Sequence, residues 1–127
     1  MDTPDATVKA FFQTFADDFA AFDGVLIASR YYVPFEAINA EGKITIFSSS
    51  EAIAAYFQRY LDQYSKEGAR SCHFELISYC PTGRKTALAI IKWQLRNQEG
   101  LTTAEWRESY HLLETDDGLW VLTSSDF

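Results

Sequence analysis

The chain is expected to fold as one α+β domain, with helices in its first half and an antiparallel sheet in its second. Three observations predict this. Apolar residues recur at three- and four-residue steps near the start and again over residues 53–64. From residue 72 onward, long alternating stretches are separated by short Gly- and Asp-rich turns. The length of 127 residues suits a single core, so residues 1–127 are taken as one domain.

The first helix begins with Asp2 or Thr3 as N-cap and Pro4 at the first helical position. Val8, Phe11, Phe12, Phe15, Phe19 and Phe22 form its buried stripe, while Lys9, Gln13, Thr14, Asp17 and Asp18 mark the wet side. Gly24 breaks it. Residues 25–32 then read as a second, short helix, ended by Pro34. Residues 35–40 and 43–47 flank Glu41-Gly42 and read as a hairpin. Ser48 followed by Glu51 reads as a capping box for a third helix. Ile53, Tyr56, Phe57, Tyr60, Leu61 and Tyr64 share one face of that helix, and Gly68 ends it.

Residues 72–80, 86–96, 102–114 and 119–127 follow as four strands. Their turns are short, so they should form an antiparallel meander, with the three helices covering one face of a curved sheet. Cys72 and Cys80 on one strand would lie about 26 Å apart at roughly 3.3 Å per residue, too far for a disulfide. They read as two small buried hydrophobes.

Composition narrows the partners. The net charge is −7, and no Lys/Arg cluster stands against it, so nucleic acid is not expected as a partner. No apolar run reaches the roughly 20 residues of a membrane span. The start, MDTPDATVKAFF, lacks a basic n-region, and a cytoplasmic location is expected. Ten Phe, seven Tyr and three Trp supply enough bulk to line a pocket as well as fill a core.

Phe22-Asp23-Gly24 before the short helix, the Ser-rich approach to Ser50-Glu51-Ala52-Ile53, and Asp117-Gly118-Leu119-Trp120-Val121 before the last strand together resemble the nuclear transport factor 2-like superfamily, which includes SnoaL-like and ketosteroid-isomerase-like proteins. The resemblance covers nearly the whole chain. It implies a cone-shaped curved sheet closed on one side by the helices, in the cystatin-like α+β roll arrangement, with a small apolar ligand held in the cone. It also implies a homodimer through the outer sheet face. Counted from Asp23-Gly24, the isomerases' catalytic aspartate falls on Ala37, and their helix-one tyrosine falls among Phe12, Gln13 and Phe15. Tyr110 falls about where those enzymes place an acidic donor to the substrate oxygen.

Strand alternation then assigns the cone. Ala104, Trp106, Glu108, Tyr110 and Leu112 share one face of their strand, and that face is apolar except for Glu108. Ala87, Ala89, Ile91, Trp93 and Leu95 face inward by the same logic, as do Cys72, Phe74, Leu76, Ser78 and Cys80. Glu108 is the candidate proton carrier and Tyr110 the candidate hydrogen-bond donor, a pair suited to proton abstraction beside a carbonyl. Phe12, Phe15, Tyr32, Trp93 and Trp106 are the candidate pocket residues. Alternatively Glu108 pairs with Arg59, Arg30 or another cation at the pocket rim, or a bulge turns it outward. His73 and His111 lie on the outer face, and no metal-ligand spacing or phosphate loop is present, so no metal or cofactor is expected. Three functions remain open: an isomerase-, cyclase- or hydratase-type enzyme, a non-catalytic binder of a small molecule, and an interaction module whose pocket its own side chains fill.

Overall fold

The computed structural model describes residues 4–127, so the expected cap at Asp2 or Thr3 lies outside the described residues. Helix α1 (Pro4–Ala20) is followed by α2 (Gly24–Ala28), β1 (Tyr31–Ile38), β2 (Ile44–Phe47), α3 (Ser50–Lys66), β3 (Ser71–Pro81), β4 (Thr86–Arg96), β5 (Thr102–Thr115) and β6 (Gly118–Asp126). The strands form one curved sheet in the order β2-β1-β6-β5-β4-β3. Four of its pairings are antiparallel, as the turns require. The fifth, β1 with β6, is parallel, because the chain crosses through α3 and the meander before returning to β1.

The aromatic stripe of α1 drives the packing. Phe12 and Phe15 are fully buried against Trp93 and Tyr110 of the sheet, with ring centroids 5.1–6.1 Å apart. Buried aromatic pairs of this kind are worth roughly 0.5–1.5 kcal/mol beyond the area they cover. On β4, Ala87, Ala89, Ile91, Trp93 and Leu95 are all buried, the alternation expected of that strand.

Local differences have local causes. The second helix stops at Ala28, and Tyr31 already belongs to the sheet, where the Arg30 carbonyl accepts from the Val121 amide at 2.8 Å. The run Tyr-Tyr-Val-Pro-Phe has strand-forming residues that outweigh the helical pattern before it. Helix α3 is capped by Ser49 rather than Ser48: its hydroxyl accepts from the Ala52 amide at 3.1 Å, and three consecutive serines make that choice invisible to pattern. On β3 the register shifts between Leu76 and Ser78. The extra residue reverses the alternation. Cys72, Phe74 and Leu76 face the core as expected, but Tyr79 replaces Ser78 and Cys80, which are exposed. Cys80 is therefore not a buried hydrophobe.

The turn between α1 and α2 is fixed by α3. Gln58 accepts from the Gly24 amide at 2.8 Å and donates to the Phe22 carbonyl at 3.2 Å. Phe22 sits at φ 54°, a left-handed position uncommon for a bulky residue, and the Gln58 clamp holds it there. A side chain at Gly24 would collide with the Ala54 carbonyl oxygen, so glycine sets the separation of α2 and α3. Among the described residues, no helix is long and apolar enough to cross a membrane.

Candidate functional site

The concave sheet face and the helices enclose a cavity of about 590 Å³. Its wall is aromatic, with Phe15 and Phe19 from α1, Tyr56, Tyr60 and Tyr64 from α3, Trp93 from β4 and Trp106 from β5. Alternation on β5 delivers Trp106, Glu108 and Tyr110 to this cavity.

Glu108 is the acid set into that wall. The Trp106 indole Nε1–H donates to its Oε1 at 3.1 Å. Burial, with a smaller contribution from the negative charge of Asp126, pushes its pKa up to about 7, although hydrogen bonds from Trp106, Tyr110 and Ser124 pull the other way. Among the described residues no cation pairs with it. Arg30 is instead bound to Asp18 at 2.6 Å, and Arg59 is exposed on α3.

Tyr110 is committed to the protein. Its hydroxyl accepts from Trp93 Nε1 at 2.7 Å, with both side chains buried. Its own proton serves Glu108, so Trp93, Tyr110 and Glu108 form a directed chain. Tyr110 therefore positions the carboxyl, rather than standing open to a substrate oxygen.

Of the five expected pocket residues, Phe15, Trp93 and Trp106 border the cavity. Phe12 does not; it is fully buried behind Tyr110, with ring centroids 5.1 Å apart. Tyr32 points away from the cavity. It is 45% exposed and lies edge-on to Trp120 at 5.7 Å. The reason is the strand: once β1 begins at Tyr31, alternation sends Tyr31 inward and Tyr32 outward.

Of Tyr31 and Tyr32, which the sequence places together near the pocket mouth, Tyr31 is the one that borders the cavity. It is 3% exposed, borders the cavity, and makes no hydroxyl hydrogen bond among the described residues. Burial first, and then the charge of Glu108, raise its pKa well above that of an ordinary phenol, so it remains a donor at all working pH. The parity of Tyr31 with buried Phe35 carried the signal, once residues 31–35 are read as strand.

Ala37 also borders the cavity, in the row Ala37–Ser124–Tyr110 across β1, β6 and β5. Glu36 beside it does not border the cavity. Asp126 does, directly across the β5–β6 ladder from Glu108. Its pKa is raised, chiefly by desolvation and also by Glu41.

The outer face carries a polar lattice. Lys92 pairs with Glu105 at 3.3 Å, Gln94 donates to Glu105 at 2.9 Å, and Arg96 Nε donates to Gln94 at 2.7 Å. His73 contacts the Ser71 hydroxyl at 2.9 Å and His111 lies 3.4 Å from the Thr82 hydroxyl. Among the described residues, no three His, Cys, Asp or Glu side chains converge on a metal site.

Among curated proteins, none matches the chain. Solved structures share its fold. A domain of unknown function with a cystatin-like fold from Nostoc punctiforme aligns with a TM-score of 0.75 at 20% identity, covering 98% of this chain and 78% of that one. An NTF-2-like protein of unknown function from Shewanella oneidensis aligns with a TM-score of 0.75 at 17% identity, covering 98% of each chain. A ketosteroid isomerase-like protein from Erwinia carotovora atroseptica aligns with a TM-score of 0.64 at 14% identity, covering 96% and 95%. At such identities the likeness is one of fold. The family described as NTF2-like protein (DUF6841) matches residues 5–125, and the chain belongs to that family.

Proposed function

We propose that the cavity is a small-molecule site whose chemistry is proton transfer beside a carbonyl. Glu108 is the proton carrier. The observation that carries this is its carboxyl, which borders a ligand-sized cavity and is held near pKa 7, where acid and base forms coexist at neutral pH. In the forward step the ionised carboxylate takes a proton from the carbon next to the carbonyl. The C–H electrons move to the carbonyl oxygen, and the resulting enolate oxygen accepts from the free Tyr31 hydroxyl. Glu108 then returns the proton to carbon. Tyr110 and Trp106 hold the carboxyl, and Trp93 holds Tyr110.

An open volume of about 590 Å³ speaks against a pocket filled by its own side chains. A binder without turnover has the same cavity, so the test must read chemistry. The probe is 2-tetralone, a bicyclic ketone with exchangeable hydrogens beside its carbonyl. In D2O, its exchange followed by proton NMR should run faster with the protein than in buffer, and should slow below pH 7 as Glu108 takes up its proton. Glu108→Gln should lower the protein-dependent rate by at least about 100-fold. Equal rates for the two proteins would leave a binding site without this chemistry.

A further inference from the structure

We infer that the ligand of this cavity carries a protonated amine, seated against Asp126 and Glu108 within the aromatic wall. This rests on the cavity being a ligand site and extends it by naming the ligand's charge.

From β5 Glu108 faces inward; alternation sends the Glu105 and Arg107 side chains toward the outer face, where Glu105 pairs with Lys92 at 3.3 Å, although both of these exposed residues also border the cavity. From β6 comes Asp126, and from β1 the phenol Tyr31. Helix α1 contributes Phe15 and Phe19, and α3 contributes Tyr56, Phe57, Tyr60 and Tyr64. The turn before β2 carries Glu41 and Lys43 at the mouth, one of each sign. The wall therefore sets the carboxylates of Glu108 and Asp126 beside each other; the exposed Lys43 and Arg107 also border the cavity, and among the described residues neither carboxylate makes an ion pair.

Glu108 and Asp126 are direct cross-strand neighbours. Such positions place Cβ atoms about 4.5–5.5 Å apart, where like charges are unfavourable. Either a proton or a bound cation relieves that repulsion. The surroundings favour an organic cation. Tyr64 stacks on Trp106 with ring centroids 5.5 Å apart, and Tyr60 lies 6.3 Å from Tyr64, so π faces line the approach to the acids. Aromatic ring faces attract ammonium groups through the negative face of the ring quadrupole. Independently, Tyr31 borders the cavity and its hydroxyl has no hydrogen-bond partner among the described residues, leaving an oxygen to accept an ammonium N–H. An anionic ligand seated beside Glu108 and Asp126 would meet two carboxylates that no ion pair offsets.

Three probes with one naphthyl body test this by isothermal titration at pH 8: 1-naphthylmethylammonium, 1-naphthylmethanol and 1-naphthoate. The ammonium should bind at least about tenfold tighter than the alcohol, with the naphthoate weakest. That ratio should narrow at pH 5, as the carboxylates take up protons, and in Asp126→Asn. An alcohol that binds as tightly as the ammonium at pH 8 would overturn the assignment of charge while leaving proton transfer standing. Preference for the ammonium without 2-tetralone exchange would uphold the ligand class and remove the reaction. Binding of none of the three would overturn the assignment and the ligand site together.

Discussion

Glu108 gains a neutral-pH titration from burial, and that gain has a cost in stability. Its folded pKa of about 7 lies above the ordinary glutamate value of 4.5. The native state therefore holds a proton that the unfolded chain has released between those values. Its contribution to stability is fully present below about pH 4.5 and is lost as pH rises through about 7. The shift corresponds to at most about 3 kcal/mol. Glu108→Gln removes that charge, so it should melt higher than the parent at pH 8 and close to it at pH 4.5, read by circular dichroism at both pH values. A variant that melts lower at pH 8 would mean that the ionised carboxylate is stabilised in place. The inward orientation of Glu108 was legible in the sequence, because Trp106, Tyr110 and Leu112 share its parity. Its hydrogen-bond chain through Tyr110 to Trp93 was not, since that depends on ring placement across two strands.

Elements were legible where pattern is redundant and illegible where one residue decides. The stripes of α1 and α3 and the alternation of β4 each repeat their signal over several residues. The β3 bulge does not: one added residue sends Ser78 and Cys80 outward, and no turn residue marks it. Tyr31 and Tyr32 were misassigned for a related reason, a helix carried a few residues beyond its end at Ala28. Gly24 is the converse case, a single residue whose meaning appears only in packing. The Ala54 carbonyl occupies the space a methyl group would need. Gly24→Ala should therefore separate α2 from α3, strain the Gln58 clamp and cost about 1–3 kcal/mol, measured by urea denaturation. An unchanged midpoint would mean that the two helices separate without cost.

At the scale of the molecule, the fold supplies a cone and the sequence decides what the cone can do. The curved sheet with N-terminal helices was legible, because element order and turn lengths leave few alternatives. The cavity was not, because whether ten Phe, seven Tyr and three Trp fill a space or surround it depends on rotamers and strand curvature. The aromatic side chains do both: Phe12 and Phe47 close the core, while Tyr64 and Trp106 stand around an open volume. Glu108 gives that volume its chemistry, and its titration is the most direct test. With the glutamates labelled by carbon-13 at the side-chain carboxyl, the resonance missing from Glu108→Gln identifies Glu108 in the spectrum. Its midpoint should fall near pH 7, and a midpoint below about 5 would contradict a buried proton carrier in the cavity.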